Sequence, residues 1–311
     1  MTQAVRVDNI SKTFKTGKSE VQALKDISFE VEKGELFGLL GPDGAGKTTL
    51  FRVLTTLMLA NQGSAWVDGL HVVDNFKEIR KHVGYMPGKF SLYQDLTVEE
   101  NLSFFATLFN TTIEANYDLV KDIYSHIEKF KHRRAGQLSG GMKQKLALSC
   151  ALIHRPSVLF LDEPTTGVDA VSRKEFWELL RQLQNQKITI LVSTPYMDEA
   201  SLCDRVALIQ EGKILDIDSP EGITKKFKKV LWSFRASDMY HLMLDLKKME
   251  EVESCYPFGQ VHHVIINNGS ITVNEIQERL KKIGHKELKV ESIAATIEDS
   301  FMELMTQKKN D

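Results

Sequence analysis

Short apolar runs separated by polar, glycine-bearing turns fill the first forty residues. Val5-Arg6-Val7 alternates apolar with polar, as does Ile27-Ser28-Phe29-Glu30-Val31-Glu32, which Lys33-Gly34 ends in a turn. Leu36-Phe37-Gly38-Leu39-Leu40 is apolar throughout, as in a strand covered on both faces. Residues 4–40 therefore read as β structure. Leu50 to Leu59 changes to a helical period, Gly63 to Gly69 is a strand between turns, and Asn75 to His82 is helical. Val83-Gly84-Tyr85-Met86 reads as a short buried strand, broken by Pro87-Gly88. Thr97 and Glu100 form a capping box ahead of Asn101 to Phe105, and a further helix runs from about Ile113 to Phe130. The stretch from about 90 to 155 is thus a helical insert between β segments.

Ser157 to Pro164 is an apolar strand that ends in two carboxylates, Asp162 and Glu163. Residues 171–186 form an amphipathic helix, and Lys187 to Ser193 a second apolar strand. Val206 to Ile209 and Lys213 to Asp216 flank Glu211-Gly212 as a hairpin. Pro220-Glu221-Gly222 and the solvated run Lys225-Lys226-Phe227-Lys228-Lys229 then mark a boundary, giving domains at 1–222 and 228–311. Beyond it, strands at Val230 to Arg235, Val261 to Ile266 and Leu288 to Ser292 intersperse with helices at Tyr240 to Glu250 and Val273 to Ile283. A β-α-β-β-α-β order points to a small ferredoxin-like α+β domain, closed by a helix from Ala295 to Gln307.

Composition narrows this picture mainly by exclusion. The 311 residues are 42% hydrophobic and 26% charged with a net charge of −2, an ordinary soluble balance that gives no reason to expect nucleic-acid binding. Cys150, Cys203 and Cys255 are scattered, as reduced, buried thiols are. No apolar run has the length of a membrane span, and Met1 to Asp8 lacks the core of a signal peptide, so a cytoplasmic protein is expected. His262-His263 has no Cys, Asp or Glu at ligand spacing beside it and reads as strand surface.

The chemistry centres on Gly41-Pro42-Asp43-Gly44-Ala45-Gly46-Lys47-Thr48-Thr49, between the apolar strand and the helical segment. It fits G-x-x-x-x-G-K-[ST] at every fixed position. Glycines let successive amides point inward at an anion, and the following helix aims its positive end at the same place. Lys47 is placed to reach β- and γ-phosphates and Thr48 to hold Mg²⁺, so the implied ligands are a nucleoside triphosphate and Mg²⁺. Carboxylates at the end of a buried strand are costly unless they bind something. Asp162 suits the metal and Glu163 the attacking water. Leu138-Ser139-Gly140-Gly141-Met142-Lys143-Gln144 is a second glycine-bearing helix start, by itself a plain N-cap. Phe14, in a polar loop, is either a local anchor or a stacking platform.

The order of Gly41 to Thr49, Leu138 to Gln144, Leu159 to Pro164 and Gly167-Val168-Asp169 resembles the ATP-binding subunits of ABC transporters over about residues 4–220. The tail Thr296-Ile297-Glu298-Asp299-Ser300-Phe301 resembles, less specifically, the C-terminal extension of bacterial drug-export ATPase subunits. The resemblance implies a P-loop NTPase core of α/β class with an antiparallel β subdomain and a helical subdomain. It implies head-to-tail closure with a second ATP-binding subunit, so that ATP lies between the Gly41–Thr49 loop and Ser139-Gly140-Gly141 of the other subunit. Phe14 falls at the adenine-stacking position and Asp169 in the loop that communicates across the dimer. The resemblance further implies an integral membrane permease as partner, which would hold the chain at the inner face of the plasma membrane, with export as the direction.

Two positions depart from the family pattern. Gly88 stands where a glutamine contacting Mg²⁺ and water is usual, and Pro195 where a switch histidine is usual. Neither residue offers the missing hydrogen bonds. Two readings follow: an active transport ATPase using Glu163, or a slow nucleotide-binding clamp that completes the site of a different ATPase partner. Soluble ABC proteins of repair or translation would carry a long coiled coil or a second ATP domain, and neither is in this sequence.

Overall fold

A computed structural model describes residues 3–17, 19–267 and 271–307. The described residues divide into two compact units, one within 3–223 together with 307, and one within 224–306. In the first unit, β1 (Gln3–Thr16) and β2 (Ser19–Glu32) form a long hairpin, and β3 (Leu36–Leu40) leads into α1 (Lys47–Leu54). β4 (Gln62–Val67), β5 (Leu70–His71), α2 (Phe76–His82) and β6 (Val83–Met86) follow. The helical insert comprises α3 (Val98–Leu108), α4 (Tyr117–Glu128) and α5 (Gly140–Leu152). Then come β7 (Val158–Asp162), α6 (Ala170–Asn185), β8 (Thr189–Thr194), β9 (Arg205–Gln210), β10 (Lys213–Asp218) and α7 (Pro220–Lys226).

Two sheets organise this unit. The antiparallel sheet β2-β1-β4-β5 alternates buried and exposed positions, as a sheet with one covered face must. The other runs β10-β9-β3-β8-β7-β6 and is parallel except at β10. Every residue of β3, β7 and β8 is buried, which accounts for the apolar runs Leu36–Leu40, Val158–Leu161 and Ile190–Val192 within them. Phe51 of α1 meets Phe160 of β7 edge-on with centroids 5.5 Å apart, tying the helix to the sheet centre. β3, β7 and β8 are parallel neighbours, so their C-terminal ends gather Leu40-Gly41, Asp162-Glu163 and Thr194-Pro195 at one edge. The Thr97–Glu100 capping box forms as expected, with amide bonds of 2.8 and 3.2 Å.

The second unit holds β11 (Leu231–Arg235), α8 (Met239–Lys247), β12 (Val252–Phe258), β13 (Val261–Ile266), α9 (Val273–Lys282), β14 (Lys289–Ile293) and α10 (Ile297–Gln307). Its antiparallel sheet has the order β12-β13-β11-β14. That is the ferredoxin-like arrangement; the strand that sequence periodicity left unnamed is β12, interrupted by Cys255 and Pro257. Other differences are local. The expected helix at 113–130 begins as a 3₁₀ turn, Glu114–Asn116, and α1 stops at Leu54, just before Thr56 takes a φ of 62°.

The histidine pair is a correction. His262 and His263 are buried, not on the strand surface. His263 Nδ1 lies 2.6 Å from Asp299 Oδ1, which also accepts the Tyr256 hydroxyl at 2.5 Å, while Thr296 donates twice to Oδ2 at 2.7 Å. Burial pushes the Asp299 carboxyl up, but the hydrogen bonds from His263, Thr296 and Tyr256 outweigh it and hold it below the ordinary value. A lowered folded pKa stabilises fully above the unfolded value of about 3.9 and loses that contribution as pH falls through the folded one. Asp299→Ala is therefore expected to cost about 3 kcal/mol at neutral pH by orphaning buried donors, and to weaken the fall in stability below about pH 4. Amide hydrogen exchange over residues 252–266 of the full chain checks this; unchanged protection would refute it.

Candidate functional site

The loop after β3 is shaped by close approaches that exclude side chains at two glycines. A Cβ on Gly41 would lie 2.1 Å from the Ile209 carbonyl oxygen. One on Gly46 would lie 2.5 Å from Ala23 O, and Gly46 also has a φ of 109°. Between them, Ala45 N bonds Pro42 O at 3.2 Å, and Gly41 N reaches Thr194 O at 3.3 Å. The Leu50 amide bonds Gly46 O at 3.0 Å, one turn into α1. The amides of Lys47, Thr48 and Thr49 thus have no acceptor within the helix, and the Gly46 cap supplies no side chain. Asp43 and Gly44 are exposed at the tip. The result is an anion cradle with the positive end of α1 at its base.

Lys47 is 3% exposed, and its ammonium is fully engaged. Nζ donates to Gly41 O at 2.7 Å and Pro42 O at 3.1 Å, and pairs with Glu163 Oε1 at 3.1 Å. Two carbonyl oxygens take its protons and one carboxylate matches its charge. The Glu163 side chain is 23% exposed, and its backbone takes a φ of 50°, an uncommon conformation for a residue with a side chain. Asp162 is buried at the end of β7; Ser193 donates to its Oδ1 at 2.6 Å, and among the described residues nothing hydrogen-bonds its Oδ2. Nearby, burial foremost and then the Asp162 charge push the Tyr85 phenol up to about 12, so it keeps its proton at neutral pH.

The two positions singled out in the sequence, Gly88 and Pro195, follow the C-terminal ends of β6 and β8. A Cβ on Gly88 would stand 3.0 Å from Asp162 O and 3.8 Å from Glu163 Cβ, so the glycine abuts the end of β7. Pro195 follows Thr194, whose buried hydroxyl donates to Glu199 at 2.5 Å and accepts from the Tyr196 amide at 3.1 Å. The proline thus sits on a backbone held by Thr194 and Glu199.

The Leu138–Gln144 turn is a separate element. Leu138 is buried, whereas Ser139 and Gly140 are exposed. The Ser139 hydroxyl accepts from Met142 N at 3.4 Å, so the N-cap is real, and the Lys143 ammonium lies 5.5 Å from the Phe90 ring centroid. The turn packs on the Asp169 loop: a Cβ on Gly140 would be 3.4 Å from Gly167 O, and one on Gly141 2.7 Å from Ser172 Oγ. Asp169 caps α6, accepting from Val171 N at 3.1 Å and Ser172 N at 3.0 Å; the Ser172 bonds foremost lower its pKa. Among the described residues, no hydrogen bond or ion pair joins this turn to the Gly41–Thr49 loop. Phe14 lies on strand β1, not in a loop; it pairs with Val21 and is 36% exposed, with Lys12 Nζ 5.5 Å from its ring. Strand placement fixes the ring's direction, which a loop would leave free.

Sequence reasoning missed two features. One is the hydroxyl pair Ser193 and Thr194, polar residues at the end of an apolar strand, the same signal that exposed Asp162 and Glu163. The other is a cavity of about 740 Å³ lined by Met86, Pro87, Phe90, Phe105, Gln144 and His154. Burial drives the His154 imidazole down to about 4, so it is neutral at pH 7, and it stacks on Phe109 at 3.8 Å. This cavity is assembled from segments distant in sequence, so no local pattern announces it.

Hard oxygen donors, the Thr48 hydroxyl and the open oxygen of Asp162, fit Mg²⁺, which keeps several waters and binds through few carboxylates plus phosphates. Among the described residues no three or more His, Cys, Asp or Glu gather into an all-protein cage, so phosphate oxygens would have to complete such a site.

Residues 24–166 match the family described as "ABC transporter". The chain is 39% identical over 203 residues to the probable multidrug ABC transporter ATP-binding protein YbhF of Escherichia coli, covering 65% of this chain but only 35% of YbhF. It therefore spans about a third of the length of that relative. It is 36% identical to the ABC transporter ATP-binding protein NatA of Bacillus subtilis, covering 68% of this chain and 87% of NatA. It is 35% identical to the doxorubicin resistance ATP-binding protein DrrA of Mycobacterium tuberculosis, covering 80% of this chain and 73% of DrrA. Among solved structures, the dimeric post-hydrolysis ATP-binding cassette MJ0796 bound to ADP and Pi aligns with a TM-score of 0.64 at 25% identity, over 69% of this chain and 98% of that one.

Proposed function

Because this chain belongs to the ABC transporter family of ATP-binding proteins, we propose that it binds and hydrolyses Mg-ATP to drive export through a membrane permease. The observation that carries the proposal is the cradle itself: amides at the start of α1 with no acceptor within the helix, and a buried Lys47 held at its mouth. In this reading residues Gly41 to Thr49 wrap the phosphates, and Lys47 exchanges Glu163 and one of its two carbonyl acceptors for the β- and γ-phosphates. Thr48 and Asp162 hold Mg²⁺, which when bound neutralises charge on the phosphates. Glu163, once released, orients and deprotonates the attacking water. Phe14 stacks the adenine from its strand.

The Ser139-Gly140-Gly141 turn, exposed at Ser139 and Gly140 and remote in bonding from the cradle, serves the cradle of a second ATP-binding subunit, with Leu138, Met142, Lys143 and Gln144 setting its geometry. Asp169, packed beneath that turn, couples the two sites. Domains at 1–222 and 228–311 divide the work, with ATP chemistry in the first. Gly88 and Pro195 leave contacts to water and γ-phosphate unmade, which slows turnover while leaving binding intact. No described helix is long and apolar enough to cross a membrane, so attachment to the inner face of the plasma membrane falls to the permease. The apolar cavity beside Pro87 adjoins the Gly88 segment and suits a short apolar segment of that permease. Names of relatives that refer to multidrug transport and doxorubicin resistance support export.

Calorimetric titration of the full chain with ATP, with and without Mg²⁺, tests this. Binding in the range of millimolar or tighter, strengthened by Mg²⁺, is expected. Heat indistinguishable from dilution in both conditions would refute the proposal.

A further inference from the structure

One buried hydroxyl joins the two carboxylates of the site. Ser193 is 0% exposed, on β8, directly paired with Asp162 of β7. Its Oγ donates to Asp162 Oδ1 at 2.6 Å and accepts from the Glu163 amide at 3.0 Å. The Glu163 amide also reaches the Ser193 carbonyl at 3.0 Å, so the single N–H is shared between two atoms of one residue. A serine hydroxyl has one proton to give and lone pairs to receive, and both capacities are used here. The direction is fixed by chemistry: a carboxylate can only accept and an amide can only donate.

Two consequences follow. With Oδ1 of Asp162 occupied, the rotation of that carboxylate is set and Oδ2 is the oxygen left for a ligand. The same hydroxyl helps hold Glu163 at a φ of 50°, a conformation that costs energy and persists only where its surroundings impose it. The direction in which the Glu163 side chain leaves the strand depends on that backbone.

We propose that Ser193 is a positioning residue that aims Asp162 at the metal and Glu163 at the reacting water through a single shared hydroxyl. The inference rests on the proposed Mg-ATP site and adds to it a residue outside the phosphate loop and the carboxylate pair. Removal of the hydroxyl frees the Asp162 carboxylate to rotate, and outer-shell partners of this kind carry about 10–100-fold in metal affinity or activity.

The test is the ratio of ATP affinity with Mg²⁺ to that in chelator, measured on the full chain by calorimetric titration. Ser193→Ala and Ser193→Cys are expected to lose about tenfold of this Mg²⁺ potentiation with metal-free affinity unchanged. Ser193→Thr, which restores a hydroxyl, is expected to stay within about threefold of wild type. Should Ala destabilise the fold, the Cys variant carries the comparison, since it keeps volume but donates weakly. Wild-type potentiation in Ala or Cys, or a Thr variant as impaired as Ala, would overturn the role of Ser193 and leave the Mg-ATP site standing. Absence of ATP binding in the wild type would overturn the site itself.

Discussion

Replacement of Lys47 by alanine is expected to weaken Mg-ATP binding by about a hundredfold. The ammonium is held at the cradle by Gly41 O and Pro42 O, and these two bonds aim it. A charged hydrogen bond to a phosphate contributes about 1.5–3 kcal/mol, and Lys47 would make two of them, so a loss of about 3 kcal/mol is a conservative sum. Lys47→Arg would not restore binding, because the guanidinium is planar and larger and cannot reproduce the compact three-way contact. Competitive displacement of a fluorescent ATP analogue measures the effect. An alanine variant that binds within a factor of about three of wild type would remove the phosphates from this loop.

Glu163→Gln is expected to cut steady-state ATP hydrolysis about a thousandfold, the range of a positioned general base. Affinity for ATP should not fall, because the neutral amide competes less strongly than the carboxylate for Lys47. The two parameters therefore move apart, and that separation distinguishes loss of chemistry from loss of folding. A phosphate-release assay on the unmixed chain reads the rate. If the wild-type rate is no higher than that of the glutamine variant, hydrolysis does not take place in this site. Gly88 and Pro195 would then be the cause to pursue, since both abut the carboxylate end of the parallel sheet.

The parts of the fold that sequence revealed are those whose signal is local. Buried parallel strands betray themselves as apolar runs, and β3, β7 and β8 each contain one. Glycine spacing exposed the cradle because backbone approach to Ile209 and Ala23 leaves no room for a side chain. Capping boxes are equally local, and the one at Thr97 formed as read. What stayed hidden depends on contacts between distant segments. His263 gives no local hint of burial, because its partner Asp299 is 36 residues away. Strand β12 carries Pro257 and Cys255 in place of a clean alternation, and only its pairing with β13 reveals it. Lys47 meeting Glu163 likewise requires that β3 and β7 be set on either side of β8.

That Lys47–Glu163 pair has a consequence for the order of events. The lysine's charge is matched by an acid of the same chain. In the proposed function an arriving triphosphate displaces that acid. The carboxylate that would activate water is then freed by the same exchange that brings in the bond to be cut. Under that proposal the contact would act as an interlock: one lysine pairs either with the carboxylate or with the phosphates, so the exchange that binds the nucleotide would also arm the base.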